Sequence, residues 1–150
     1  MREPSPKPLS NKRSWARRCA AQALYQWQVT GQEPAAIIQQ FLADQDLPKA
    51  DPDYFRELAQ QVPSQAALID AALEPFLDRP LAQVDPVERA ILRIGGYELM
   101  QRPEIAYRIV INEAVELAKL FGAEQGHRFV NGVLDKLAQT VRKAEFSARS

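Results

Sequence analysis

The chain has 150 residues, 46% hydrophobic and 25% charged, with formal net charge zero. That is enough apolar material for one domain or two small subdomains sharing a core, and it excludes a disordered or fibrous chain. No apolar run reaches the ~18 residues of a membrane span, and the N-terminus is polar and basic with no signal-like segment. One cysteine, Cys19, excludes an internal disulfide and suits a reducing cytoplasm. With a single histidine, His127, it also makes a Cys/His zinc site implausible.

Taken in chain order, residues 1–9 hold three prolines and little that packs, and are expected to be a disordered tail. From Ser10 the pattern turns helical. Ala16, Cys19, Ala20, Ala23, Leu24 and Trp27 recur at spacings of three and four, one apolar stripe, and Gly31 supplies the stop. Ile37, Ile38, Phe41 and Leu42 mark a short second helix after Pro34. Asp51-Pro52-Asp53 is a start signal: a capping Asp, a Pro at the first helical position and a carboxylate facing the dipole. The apolar positions that follow, from Tyr54 to Leu77, fit one long helix or two abutting ones. Pro63 and Pro75 mark kinks or breaks, and Pro80 ends the segment.

A second start signal follows at Asp85-Pro86-Val87-Glu88, with the spacing of a capping box. Val87, Ile91, Leu92, Ile94, Leu99 and Met100 give its inward face. Gly95-Gly96 inside this helix costs ~1 kcal/mol per Gly relative to Ala, so another helix is expected to approach the bare backbone there. Pro103 terminates it. A further helix runs from Ile109 to Phe121, with Ile109, Ile111, Ala114, Val115, Ala118 and Phe121 apolar and Gly122 as its stop. A last helix from about Glu124 to Lys143 turns Phe129, Val130, Val133, Leu134, Leu137 and Val141 inward. No strand alternation exceeds the brief 107–111 run, so the fold class is all-α, with about six or seven helices.

Catalytic motifs are missing: there is no GxGxxG, P-loop, GxSxG, HExxH or CxxC. His127 has no nucleophile or carboxylate beside it in a recognisable arrangement and reads as a surface or capping residue. Asp44/Asp46 and Asp51/Asp53 lie at helix ends, where carboxylates cap. Cys19 falls on the apolar stripe as a buried inert thiol. No cofactor and no enzymatic activity are expected.

Charge is unevenly spread. Residues 1–30 carry six Lys/Arg against one acid, residues 31–88 three against eleven, and residues 89–150 ten against seven. The asymmetry fits an anionic partner at the basic end, or chance clustering on a solvated surface. On the first helix, Arg18 and Tyr25 fall opposite the apolar stripe with Ser14 beside them, and Arg13 and Arg17 lie along one flank. Cations around an outward ring suit single-stranded RNA: guanidinium groups meet phosphates and the ring offers a stacking surface. A solvated basic face with Tyr25 packed on another helix is the alternative.

Several blocks resemble the NusB family. Ala20-Ala-Gln-Ala-Leu-Tyr-Gln-Trp-Gln28, preceded by basic residues, is similar to its N-terminal helix, and Asp53-Tyr-Phe-Arg-Glu-Leu58 to its third-helix opening. Pro86-Val-Glu-Arg-Ala-Ile-Leu-Arg-Ile94 with Tyr97-Glu-Leu99 is similar to the central helix. Most specific are Ile111-Asn-Glu-Ala-Val-Glu-Leu-Ala-Lys119, Phe121-Gly-Ala-Glu124 and Phe129-Val-Asn-Gly-Val-Leu-Asp-Lys136. The blocks keep the family's order and spacing across roughly residues 12–142.

The resemblance implies a NusB-like fold of about seven helices in two packed three-helix subdomains, about 10–82 and 83–145 within one RNA-binding domain, and a tail at 146–150. It implies a cytoplasmic, non-enzymatic transcription antitermination factor. With NusE, a small-subunit ribosomal protein, such a factor binds boxA RNA, and with other Nus factors it makes RNA polymerase resist termination, especially on ribosomal RNA operons. Some members of the family form homodimers.

Residue by residue, the resemblance assigns RNA contact to Lys12, Arg13, Arg17, Arg18 and Tyr25. Arg128 and Phe129 match positions around the RNA–partner junction, and Glu88 and Arg93 a partner surface. Glu88 is also a capping-box residue, and Phe129 is spaced as core with Val133. Two departures stand out. Ser14 and Trp15 interrupt what is often a continuous arginine cluster, though Trp15 can stack. Gln125-Gly126 replaces a common Asp-Ser, removing a carboxylate at the start of the last helix. The same module occurs at the N-terminus of ribosomal RNA cytosine methyltransferases. This chain shows no catalytic Cys motif and ends at Ser150 without room for a methyl-donor domain, which speaks against that role.

Overall fold

In a computed structural model of the chain, residues 8–43, 49–122 and 125–149 are described. The expectations for residues 1–7, for Asp44 and Asp46, for a helix start at Glu124 and for Ser150 lie outside them. The described residues form an all-α fold with eight α-helices. In order these are α1 (Pro8–Thr30), α2 (Pro34–Leu42), α3 (Pro52–Ser64), α4 (Ala66–Leu73), α5 (Pro86–Gln101), α6 (Tyr107–Phe121), α7 (Gly126–Val141) and α8 (Lys143–Arg149). Three-residue 3-10 turns at Glu74–Phe76 and Leu81–Gln83 join α4 to α5.

The start and stop signals act as chemistry requires. Asp51 accepts the Tyr54 N–H at 3.1 Å, capping α3. Asp85 accepts the Val87 and Glu88 N–H groups at 3.0 and 3.3 Å, capping α5. Gly31 ends α1 at φ 72°, a conformation that costs glycine little. Pro63 sits in the last turn of α3, and the helix breaks one residue later, so the 52–77 segment is two abutting helices.

The chain divides into two units, Met1–Gln61 and Val62–Ser150. In the first, α1 packs on α2. Its buried side chains include Ala16, Ala20, Ala23 and Leu24 of α1, Ile37 and Ile38 of α2, and Phe55 and Leu58 of α3. Phe41 and Phe55 stack with centroids 5.7 Å apart, joining α2 to α3. The Asp51 N–H donates to the Lys12 carbonyl at 3.1 Å and ties the start of α3 to α1.

In the second unit α5, α6 and α7 pack on one another, with α4 against α5. The two glycines of α5 are where helices come close. A Cβ on Gly95 would meet Leu134 Cδ1 at 2.6 Å, and one on Gly96 would meet Ile69 Cγ2 at 3.0 Å. The close approach offsets the helix-propensity cost of the pair. Past α7 the chain forms α8, where Phe146 stacks on Tyr107 at 4.2 Å.

Three residues expected inward or apolar point out instead: Leu68, Ile109 and Val141 are 53%, 51% and 38% exposed. In α6 the buried line is carried by Tyr107, Val110, Ile111, Ala114, Leu117 and Ala118, one residue off the expected register at its start.

Candidate nucleic-acid interface

Helix α1 contains no acidic residue, so no i,i+3 or i,i+4 ion pair forms within it. Tyr25 is 42% exposed and Val29 55%, and Gln22 is exposed between them and Arg18. This is the outward stripe expected for Arg18 and Tyr25. Tyr25 is therefore not packed as core.

The four cations expected on this face occupy different environments. Lys12 is exposed. Arg13 is half-buried, with its guanidinium carbon 4.3 Å from the centroid of the Tyr54 ring. Arg17 is buried, 3% exposed, and lies 5.5 Å over the same ring. Arg18 is half-buried and lies 4.3 Å over the Trp15 ring, with the Lys49 ammonium 5.2 Å from that ring. Aromatic faces thus hold cations at both positions. Lys12, Arg13 and Arg18 keep surface with which to meet a phosphate. Arg17 has almost none.

In the second unit, Arg128 is exposed and Phe129 half-buried. The Arg79 guanidinium lies 4.7 Å over the Phe129 ring. Glu88 is 7% exposed, with its carboxyl packed directly on the Gly126 backbone, where a Cβ would collide with it. Burial raises its pKa above the ordinary value. Nearby Asp85 adds to the rise, and Arg79 opposes it. Arg93 binds Asp70 through both arms of its fork, Nε to Oδ1 at 2.9 Å and Nη2 to Oδ2 at 2.7 Å. Both side chains are partly buried, so this pair fixes α4 to α5. Of the residues expected to meet a partner, Glu88 is enclosed and Arg93 is engaged within its own unit.

Lys49, Tyr54 and Arg79 were not legible as members of these clusters. Lys49 and Arg79 stand in the acidic stretch of the sequence, and Tyr54 reads as a core position. Only the fold places them against Trp15, Arg13 and Phe129. Among the described residues no group of three or more His, Cys, Asp or Glu side chains is arranged to hold a metal ion.

The NusB family model matches residues 14–139. Transcription antitermination protein NusB of Nitrosococcus oceani is 57% identical over 142 residues, covering 95% of each chain. Among solved structures, NusB of T. maritima aligns with TM-score 0.80 and 26% identity over 98% of this chain and 99% of that one. A chain from a crystal structure of antitermination factors NusB and NusE in complex with dsRNA aligns with TM-score 0.74 and 26% identity, over 85% of this chain and 96% of that one.

Proposed function

The chain belongs to the NusB family, and from that premise we propose that it is a transcription antitermination factor that binds RNA through α1 and acts with NusE. Its work is assembly rather than catalysis. It recognises a boxA element in nascent RNA, and with other Nus factors it travels with RNA polymerase, above all on ribosomal RNA operons. That work places it in the cytoplasm, and no described helix is long and apolar enough to cross a membrane.

The observation that carries this reading is the exposed Tyr25 on an acid-free helix that also presents Lys12, Arg13 and Arg18. Phosphates answer the cations, and a base answers the ring. Arg17 supports the surface from below by its position on Tyr54. In the second unit, Arg128, exposed beside the half-buried Phe129, is a further RNA contact. Glu88 and Arg93 shape the partner side of the second unit by holding α7 and α4 against α5. A relative of this fold has been crystallised with NusE and dsRNA. For this chain the exposed ring favours single-stranded RNA, whose bases can leave the stack.

Fluorescence anisotropy tests the reading. A labelled boxA-type RNA is titrated alone and with purified NusE, against a scrambled strand and the boxA duplex, at two salt concentrations. The expected result is weak boxA-preferring binding to the single strand that tightens sharply with NusE. No boxA preference in either condition would leave a NusB-like fold used as a protein-interaction module.

A further inference from the structure

Trp15 takes no part in the family pattern described above, which often has a cation there. It is half-buried and stands outside the buried line of Ala16, Cys19, Ala20, Ala23 and Leu24. Spacings of three, four, three and four carry one stripe from Trp15 through Arg18, Gln22 and Tyr25 to Val29. Trp15 therefore shares the outward face with Tyr25. Arg18 and Lys49 crowd its indole, at 4.3 and 5.2 Å. Neither cation pairs with a carboxylate among the described residues. An indole beside two cations that no described carboxylate neutralises places an aromatic ring and a phosphate site together.

We propose that Trp15, with Arg18 and Lys49, is a second base-stacking station for single-stranded RNA, taking a different nucleotide from the one at Tyr25. The base continues the Trp15–Arg18 stack, for which the planar guanidinium is itself a suitable surface. Lys49 and Arg18 meet the flanking phosphates. Ten helical residues separate Trp15 from Tyr25, about 15 Å along the axis. Stacked nucleotides advance ~3.4 Å each, so one base cannot serve both rings. The two stations bind a stretch of strand and set its direction along α1. This proposal rests on the reading that α1 binds RNA.

The test uses the full chain and the labelled boxA-type RNA, with Trp15→Ala, Trp15→Phe and Tyr25→Ala variants whose folding is checked by thermal melts. Trp15→Leu, which keeps apolar bulk without a π face, replaces Trp15→Ala if that variant melts early. Loss of the ring is expected to weaken binding on the order of ten-fold, while Trp15→Phe stays close to wild type. The Trp15 and Tyr25 effects should multiply in the double variant, as they do for separate sites. Wild-type affinity in Trp15→Ala, or in the Trp15→Leu that replaces it, overturns the second station and leaves the RNA reading intact. Wild-type protein that does not bind RNA overturns both. Poly-glutamate that displaces the RNA with the same dependence on Trp15 would assign the site to an acidic protein segment instead.

Discussion

Replacing Arg142 by Met should cost this protein much of its stability, for a reason traceable to a proline 39 positions upstream. The carbonyl of Leu99, in the last turn of α5, would ordinarily accept from the N–H four residues on. That residue is Pro103, which has none. Arg142, only 7% exposed, supplies the donor through Nε at 2.8 Å. Its Nη2 also reaches the Glu98 and Arg102 carbonyls at 3.2 and 3.0 Å, and its Nη1 pairs with Glu145 at 2.7 Å. Glu145 in turn accepts the Tyr107 N–H at 3.0 Å, so one side-chain pair links the end of α5, the start of α6 and the α7–α8 junction.

The carbonyls do not lose equally. Glu98 O keeps the Arg102 N–H, and Arg102 O keeps the Ile105 N–H. Leu99 O is left bare. An unsatisfied buried acceptor costs about 1–3 kcal/mol, and the lost charged hydrogen bonds bring the total to about 3–4 kcal/mol. For a chain of this size that lowers Tm by about 6–15 °C. Thermal melts followed by far-UV circular dichroism read it directly. Arg142→Lys, which can restore one bond to Leu99, should fall between Met and wild type. A Tm for Arg142→Met within about 2 °C of wild type would refute the argument.

Two more outcomes separate support from contact and test the buried acid. Arg17→Met should lower stability by about 2 kcal/mol, through loss of its buried contacts, the cation–π contact with Tyr54 among them, and leave RNA affinity of the folded protein nearly unchanged. Replacing Lys12 and Arg13 together should weaken all RNA sequences alike and flatten the salt slope by about 0.7 per lost phosphate contact. Equal losses of affinity in the two variants would contradict that division. Glu88, its pKa raised above the ordinary 4.5 chiefly by burial, holds its proton more tightly folded than unfolded. Its ionisation therefore erodes stability as pH rises from about the unfolded value through the folded one. The Tm advantage of Glu88→Gln over wild type should grow from acid to neutral pH, and a pH-independent difference would count against the assignment.

The helices were legible because their signals are local. Proline at the first position of α3 and α5, the capping Asp51 and Asp85, and the three-four spacing of apolar residues all act within one or two turns. Gly95-Gly96 announced a close approach, though not that Leu134 and Ile69 would make it. Ile109 and Val141 mislead because an apolar residue at a helix end satisfies the spacing without a neighbour to pack on. Leu68 shows the same in a short helix. Tyr25 stands out on α1 because its stripe is set by helix geometry alone. Arg17 does not separate from Arg18 in sequence, because its burial depends on tertiary neighbours, Tyr54 of α3 among them. The partners of Trp15 and Phe129, Lys49 and Arg79, are likewise products of tertiary placement. The missing N–H of Pro103 could be read in advance, but not that Arg142 would answer it.

The central claim is that α1 is the RNA surface, and ultraviolet cross-linking of the wild-type protein to the single-stranded boxA-type RNA, with cross-linked peptides located by mass spectrometry, tests it most directly. Cross-links are expected on residues 12–29, with Trp15 and Tyr25 among the modified positions. Cross-links confined to peptides outside α1 would contradict it.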